Sequence, residues 1–196
     1  MSKATFAIVA VLAGIRGYQA KVLQSRHLLG KYESIMPKPT VYLETSVVSY
    51  LLSKPSENPV SRHMQEATRD WWENHVNRFS IFASEAVLNE CSQGDTAASK
   101  IRVEFLRSLP LLAITDEAQE LAAWYIKQGI VPAKVAEDAL HFSLAALNQV
   151  DFICTWNQKH IANAFVQRRL RLLNESRGIH TPLVATPESL REEGTA

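Results

Sequence analysis

The chain has 196 residues, enough for one domain with a buried core, and its 46% hydrophobic and 21% charged residues exclude a disordered or fibrous protein. A formal net charge of +1 excludes a global basic field, so any contact with nucleic acid has to come from a local patch. The two cysteines, Cys91 and Cys154, lie in apolar surroundings without a CxxC or a metal spacing, which excludes a disulfide framework and leads us to expect reduced core thiols of a cytoplasmic protein.

In chain order, residues 4–15 are apolar but fall short of the ~20 that a membrane span needs. They resemble the core of a secretory signal, yet a cut after Ala20 would leave Tyr18 where a small residue is wanted. Residues 1–35 are therefore expected to be an extension from a start assigned too early. The alternative is an N-terminal helix packed on the domain. The domain is expected over 37–190, with a tail over 191–196. Residues 40–43 are apolar and β-branched and predict a buried strand. A short helix follows over 46–52, a loop around Pro55 and Pro59, and a helix over 61–77. A second strand is expected at 79–83. Ser84 then caps a short helix to residue 92, and Gly94 ends it. Asp95 caps a helix to about 108, and 111–114 predicts a third strand. Thr115 caps a helix to 127, ended by Gly129. Pro132 suits the first turn of the next helix, which repeats Ala136, Leu140, Leu144 and Leu147 at helical spacing. A fourth strand at 152–155, a helix over 160–176 and a short strand at 183–185 complete the pattern.

Strands that are short unbroken apolar runs, alternating with helices, predict an α/β protein with a mostly parallel central sheet covered on both faces. Such sheets bind ligands beyond the carboxyl ends of their strands. Glu44 and Thr45 follow the first strand; Thr155 ends the fourth, and Trp156 and Asn157 follow it. Glu90 lies in the helix after the second strand, and Asp138, beside Glu137, in the second turn of the Pro132 helix. Glu44, Glu90 and Asp138 are carboxylates from distant parts of the chain. Packed together they repel, and a divalent ion removes that cost. Taken singly, Glu90 and Glu137 also read as solvated helix charges, Asp138 as a favourable helix N-terminal charge and Asn157 as a turn residue. No Gly-x-x-x-x-Gly-Lys run exists, which disfavours a P-loop nucleotide enzyme.

The runs Val41-Tyr42-Leu43-Glu44-Thr45-Ser46, Val87-Leu88-Asn89-Glu90, Ala136-Glu137-Asp138-Ala139-Leu140-His141 and Asp151-Phe152-Ile153-Cys154-Thr155-Trp156-Asn157 resemble PIN-domain motifs in order and rough spacing. The continuation Gln158-Lys159-His160-Ile161-Ala162-Asn163 is similar to one VapC-like branch of that family. The resemblance covers residues 37 to about 190. It implies a three-layer α/β/α sandwich, Mg²⁺ or Mn²⁺, and hydrolysis of single-stranded RNA regions by the toxin of a toxin–antitoxin pair. RNA, a cognate antitoxin and a second copy of the chain are the implied partners, with no membrane. Glu44, Glu90 and Asp138 are then the expected metal ligands, and Asn157 is expected to position the attacking water. Thr45, Thr155 and Glu137 are expected in support. Glu44 and Asn157 both stand where the family usually has Asp; the first keeps its charge and the second loses it.

Lys159, His160, Arg168 and Arg169 are expected to meet RNA phosphates, with capping and a solvated helix face as the alternatives. Trp71 and Trp72 are expected in core or subunit packing, and His141 as a packed histidine. The rival functions are a PIN-like RNA-binding module without catalysis and a metal-dependent nuclease acting on DNA.

Overall fold

The computed structural model describes residues 37–191, so the expected extension over 1–35 and the tail beyond 191 lie outside the described residues. Five parallel strands, β1 (Thr40–Leu43), β2 (Ser80–Ser84), β3 (Leu111–Leu112), β4 (Phe152–Cys154) and β5 (Leu183–Ala185), form one sheet in the order β3-β2-β1-β4-β5. Helices α1 (Thr45–Leu52) and α2 (Pro59–Asn74) connect β1 to β2, and α3 (Glu85–Cys91) and α4 (Thr96–Arg107) connect β2 to β3. Helices α5 (Asp116–Lys127) and α6 (Ala136–Leu147) lead to β4, and α7 (Ala164–Glu175) to β5. The result is the expected three-layer α/β/α sandwich around a parallel sheet. Among the described residues no helix is long and apolar enough to cross a membrane.

This topology positions the site. From β1 the chain builds outward through β2 to β3, then returns to the other side of β1 for β4 and β5. Connections on either side of β1 therefore diverge, and a crevice opens beyond the carboxyl ends of β1 and β4. Val41↔Phe152, Tyr42↔Ile153 and Leu43↔Cys154 set the register, so Glu44 and Thr155 leave the sheet side by side. Val41, Tyr42 and Leu43 are wholly buried, as a central strand covered on both faces requires.

The local chemistry explains most boundaries. Asn58 accepts from Val60 and Ser61 N–H, so α2 starts at Pro59, where a missing N–H costs nothing; it ends at Asn74, before a 3₁₀ turn over Val76–Arg78. Asp95 and Thr115 cap as predicted. Pro132 does not enter α6: it is extended (ψ 146°) and precedes a 3₁₀ turn, Ala133–Val135, which places Asp138 in the first turn rather than the second. Likewise α7 begins at Ala164, because Asn163 caps Phe165 and Val166 N–H. Helix α6 is buried far beyond its predicted stripe: every residue from 141 to 146 is inside, whereas Ala136 and Leu147 are exposed. Trp71 is fully buried against Trp72 and Phe79, and Trp72 packs on Phe105, so both indoles serve this chain's own core. Cys91 and Cys154 are free and buried, and burial pushes the Cys91 thiol up to about 11.

The starts of β1 and β4 are joined. Thr40 N–H and Oγ1 both donate to Asp151 Oδ2, at 2.8 and 2.7 Å, and Asp151 N–H donates to Thr40 Oγ1 at 2.8 Å. Chiefly the Thr40 backbone bond holds the Asp151 carboxyl below the usual range. That stabilisation is present above the unfolded carboxyl pKa and is lost as pH falls through the folded one. We expect Thr40→Val to cost about 1 kcal/mol at neutral pH, read by urea denaturation, with a smaller difference at low pH.

Candidate metal centre

Glu44 follows β1 directly and caps α1. Its Oε2 accepts from Ser46 N–H at 3.1 Å, from the Ser46 hydroxyl, and from Thr155 Oγ1 at 2.8 Å. The buried carboxylate is thus fixed by β1, α1 and β4 together, and its charge meets the positive end of α1. Thr155 also accepts from Asn157 N–H at 2.9 Å, and Ser46 Oγ from Trp156 N–H at 2.9 Å, so the chain leaving β4 is tied to the same support. The Trp156 indole N–H donates to buried Thr68 Oγ1 at 2.8 Å.

Glu90, in the last turn of α3, reaches the same place from the β2 side. Its Oε1 lies 2.9 Å from His141 Nε2, an ion-pair contact off the line of a well-directed hydrogen bond. Burial works to raise the Glu90 carboxyl, but His141 and Thr45 outweigh it and hold it below its usual value. Ligand atoms of Glu44, Glu90 and His141 all lie within 4.8 Å of one another. Burial pushes the His141 imidazole down, and contact with Glu90 and the charges of Glu44, Glu90 and Asp138 raise it by more. On the ring's other side, Nδ1 is 2.7 Å from the Tyr42 hydroxyl, itself 2.7 Å from Ser84 Oγ.

Asp138 is buried, and its Oδ1 accepts from Asn157 Nδ2 at 2.9 Å. Its Oδ2 is buried with no hydrogen-bond partner among the described residues. Burial raises the Asp138 carboxyl to about 6; His160 and His141 oppose the shift, and Glu44 and Glu90 add to it. Asn157 Oδ1 accepts from His160 N–H at 3.2 Å, so both ends of the amide are engaged.

The donor set fits a divalent cation. Glu44 and Glu90 act on Asp138 across a partly buried space, and two buried carboxylate oxygens, Glu90 Oε1 and Asp138 Oδ2, have no hydrogen-bond partner among the described residues. Such oxygens are normally satisfied, and an ion satisfies all three groups together. A site of carboxylates alone suits Mg²⁺, and an imidazole widens the choice towards transition metals.

The other expected residues divide. Glu137 is exposed on the outer side of α6, and Lys159 is exposed, while His160 lies close enough for its charge to act on Asp138. Arg169 Nη2 donates to Gln128 O at 3.0 Å, Arg171 pairs with Glu175 at 2.7 Å, and the Arg177 guanidinium stacks on Trp124 at 4.4 Å. Arg168, Arg169, Arg171 and Arg177 are all exposed, and the last three have these local partners. Sequence reasoning read Ser84 only as a cap and His141 only as packing, and gave Ser46 and Tyr42 no role of their own. The available signal was period: His141 stands three residues after Asp138, and so on the same helix face.

No family model matches the chain, and no curated protein matches it. Among solved structures, VapBC2 from Rickettsia felis bound to a DNA fragment from its promoter is similar, at 16% identity and a TM-score of 0.48, covering 75% of this chain and 98% of that one. VapC20 of Mycobacterium tuberculosis, described as a sarcin–ricin loop cleaving toxin, is similar at 15% identity and a TM-score of 0.51, covering 64% of this chain and 95% of that one. With the strand order and the helices on both faces, the likeness to VapC20 shows the fold of this chain: a PIN-like three-layer α/β/α sandwich.

Proposed function

We propose that the chain is a metal-dependent endoribonuclease of the VapC kind, hydrolysing phosphodiester bonds in single-stranded RNA regions in the cytoplasm. The observation that supports this reading is the cluster of Glu44, Glu90 and His141, whose ligand atoms lie within 4.8 Å of one another, with Asp138 near enough for both carboxylates to act on it and its Oδ2 buried without a hydrogen-bond partner among the described residues. The described fold likeness to VapC20, a sarcin–ricin loop cleaving toxin, agrees with it. Glu44, Glu90 and Asp138 would hold Mg²⁺ or Mn²⁺. The ion supplies charge neutralisation at a phosphodiester and easier ionisation of water. The chain's own residues do the rest. Ser46 and Thr155 hold Glu44 Oε2, leaving its other oxygen for a ligand. Asn157 orients Asp138 through its amide N–H. His160, near enough to act on Asp138, and Lys159 would be the groups to meet a phosphate or the leaving oxygen. A cognate antitoxin and homodimer formation belong to the same proposal.

The test is cleavage of a fluorescent single-stranded RNA. Cleavage is expected with Mg²⁺ or Mn²⁺, lost in EDTA, and absent on DNA of the same sequence. EDTA-insensitive binding without cleavage would make the protein an RNA-binding module instead, and preference for DNA would make it a deoxyribonuclease. Light scattering across micromolar concentrations checks the dimer.

The exposed Arg168 is the cation of its run left to meet a backbone phosphate. Arg168→Ala, alone or with Arg169→Ala, is expected to weaken RNA binding and to lower its logarithmic salt slope by about one, because fewer counterions are released. Arg171→Ala should leave the slope unchanged, since Arg171 is paired with Glu175.

A further inference from the structure

Behind the carboxylates lies a buried polar chain that the proposed reaction does not itself use, Ser84, Tyr42 and His141, and it ends on Glu90. Its proton directions can be worked out one group at a time. Ser84 is wholly buried, and its Oγ accepts from Val87 N–H at 3.2 Å as the cap of α3. Val87 N–H is a donor, so the Ser84 hydroxyl proton has one remaining acceptor, Tyr42 Oη at 2.7 Å. A buried hydroxyl proton without an acceptor would cost the full desolvation of that group. Tyr42 is wholly buried too, and its own proton then goes to its other neighbour, His141 Nδ1, at 2.7 Å. An Nδ1 that accepts is unprotonated, so the ring proton sits on Nε2. The opposite tautomer would strand the Ser84 proton and set the Nε2 lone pair 2.9 Å from Glu90 Oε1. A second proton on the ring would go to Nδ1 and leave Nε2–H as it is.

We propose that His141 is a positioning residue for Glu90 and not a metal ligand, with Ser84 and Tyr42 fixing its tautomer so that Nε2–H faces the Glu90 carboxylate. This rests on the metal-centre reading above and deepens it: the ligands are the three carboxylates. Nε2 belongs to the same tight cluster as Glu44 and Glu90, but its lone pair is taken by a proton that the relay holds there. A carboxylate oxygen carries more than one lone pair, so the Nε2 contact at 2.9 Å still leaves Glu90 Oε1 able to meet an ion. A ligand set of oxygens alone favours Mg²⁺ over softer metals. Orienting partners of this kind typically change metal affinity by about 10–100-fold when removed.

The test reads the imidazole directly. The full-length protein, labelled with ¹⁵N and ¹³C, is titrated with Mg²⁺, and the His141 signals are assigned by their loss in His141→Gln. The expected result is an Nε2-protonated, Nδ1-accepting ring without ion that keeps its Nε2 proton as the carboxyl ¹³C signals of Glu44, Glu90 and Asp138 move. In parallel, Mn²⁺ affinity is measured by calorimetry. His141→Gln retains an amide N–H with the reach of Nε2 and is expected to stay within about threefold of wild type, whereas His141→Ala loses about tenfold or more. Loss of the Nε2 proton on ion binding, or equal losses for Gln and Ala, would make His141 a ligand and overturn the inference while leaving the metal centre standing. Carboxyl signals that neither Mg²⁺ nor Mn²⁺ moves would overturn the metal centre, and the role given to His141 with it.

Discussion

Asp138→Asn is expected to reduce RNA cleavage roughly 10²-fold or more while making the ion-free protein more stable. The two effects have one cause. Asp138 is buried near Glu44 and Glu90, and one of its oxygens has no donor. The new side chain keeps an oxygen to accept from Asn157 Nδ2 and puts an NH₂ where Oδ2 stands unbonded, so the packing survives. It removes a charge that is costly without an ion. The sign follows from the pKa. Burial, the largest cause, lifts the Asp138 carboxyl to about 6 in the folded chain, against about 3.9 unfolded. Ionising it in the fold therefore costs stability: nothing below pH ~4, progressively more up to about 6, and the full amount above. After allowance for solvent screening the gain at pH 7 is roughly 1–2 kcal/mol. Thermal melts in EDTA should show the variant ahead at pH 7 and level with wild type at pH 4. Glu44→Gln and Glu90→Gln should also lose cleavage, and pairs of these changes should lose little more than single ones, because the three groups act as a unit. Full EDTA-sensitive cleavage by Asp138→Asn would put the active site elsewhere.

The sheet was legible because each strand is a short apolar run, and in a parallel sheet buried on both faces no alternation is needed to recognise it. Caps were legible where one side chain decides, as with Ser84, Asp95 and Thr115. Boundaries went astray where two signals compete. Pro132 suits a helix start, yet the chain stays extended there and turns through a 3₁₀ segment; His160 looks like a helix residue, yet Asn163 three positions on is the stronger cap. Glu44 was singled out by its place directly after a strand, and Glu90 and Asp138 by the resemblance of their helical runs to PIN-domain motifs; of these the fold brings Glu44 and Glu90 into one cluster. What sequence could not give is the partnership of distant residues. Tyr42 and His141 each read as ordinary core and Ser84 as a cap, and only the fold brings the capping serine and the helix histidine each to 2.7 Å of the strand hydroxyl. Nor could sequence give the local partners of Arg169, Arg171 and Arg177, which are Gln128, Glu175 and Trp124.

Asn157→Asp is expected to make the fold depend on the ion. The orientation of the Asn157 amide is settled by its neighbours: His160 N–H needs an acceptor at 3.2 Å, and Asp138 Oδ1 needs a donor at 2.9 Å. Asn157 thus meets both with one group, donating to a carboxylate whose acidic neighbours Glu44 and Glu90 offer it no donor. The substitution keeps the acceptor for His160 and replaces the donor by an oxygen of like charge. Two carboxylate oxygens at that separation cannot both stay ionised without a cation, so either a proton is shared or the turn after β4 opens. In EDTA the variant should lose about 1–3 kcal/mol, the range for leaving a buried polar group unpaired. With Mg²⁺ present the added charge favours the ion, and affinity should rise about tenfold, equivalent to about 1.4 kcal/mol. Stability measured against Mg²⁺ concentration should then climb more steeply than for wild type, by the linkage of binding to folding. Cleavage should be kept or raised, because the added charge favours the ion that the proposed reaction needs. Melting curves with and without EDTA, together with Mg²⁺ calorimetry, separate the two arms. Unchanged stability in EDTA combined with unchanged Mg²⁺ affinity would mean that Asn157 does not face the carboxylates, and that its hydrogen bond to Asp138 does not persist in solution.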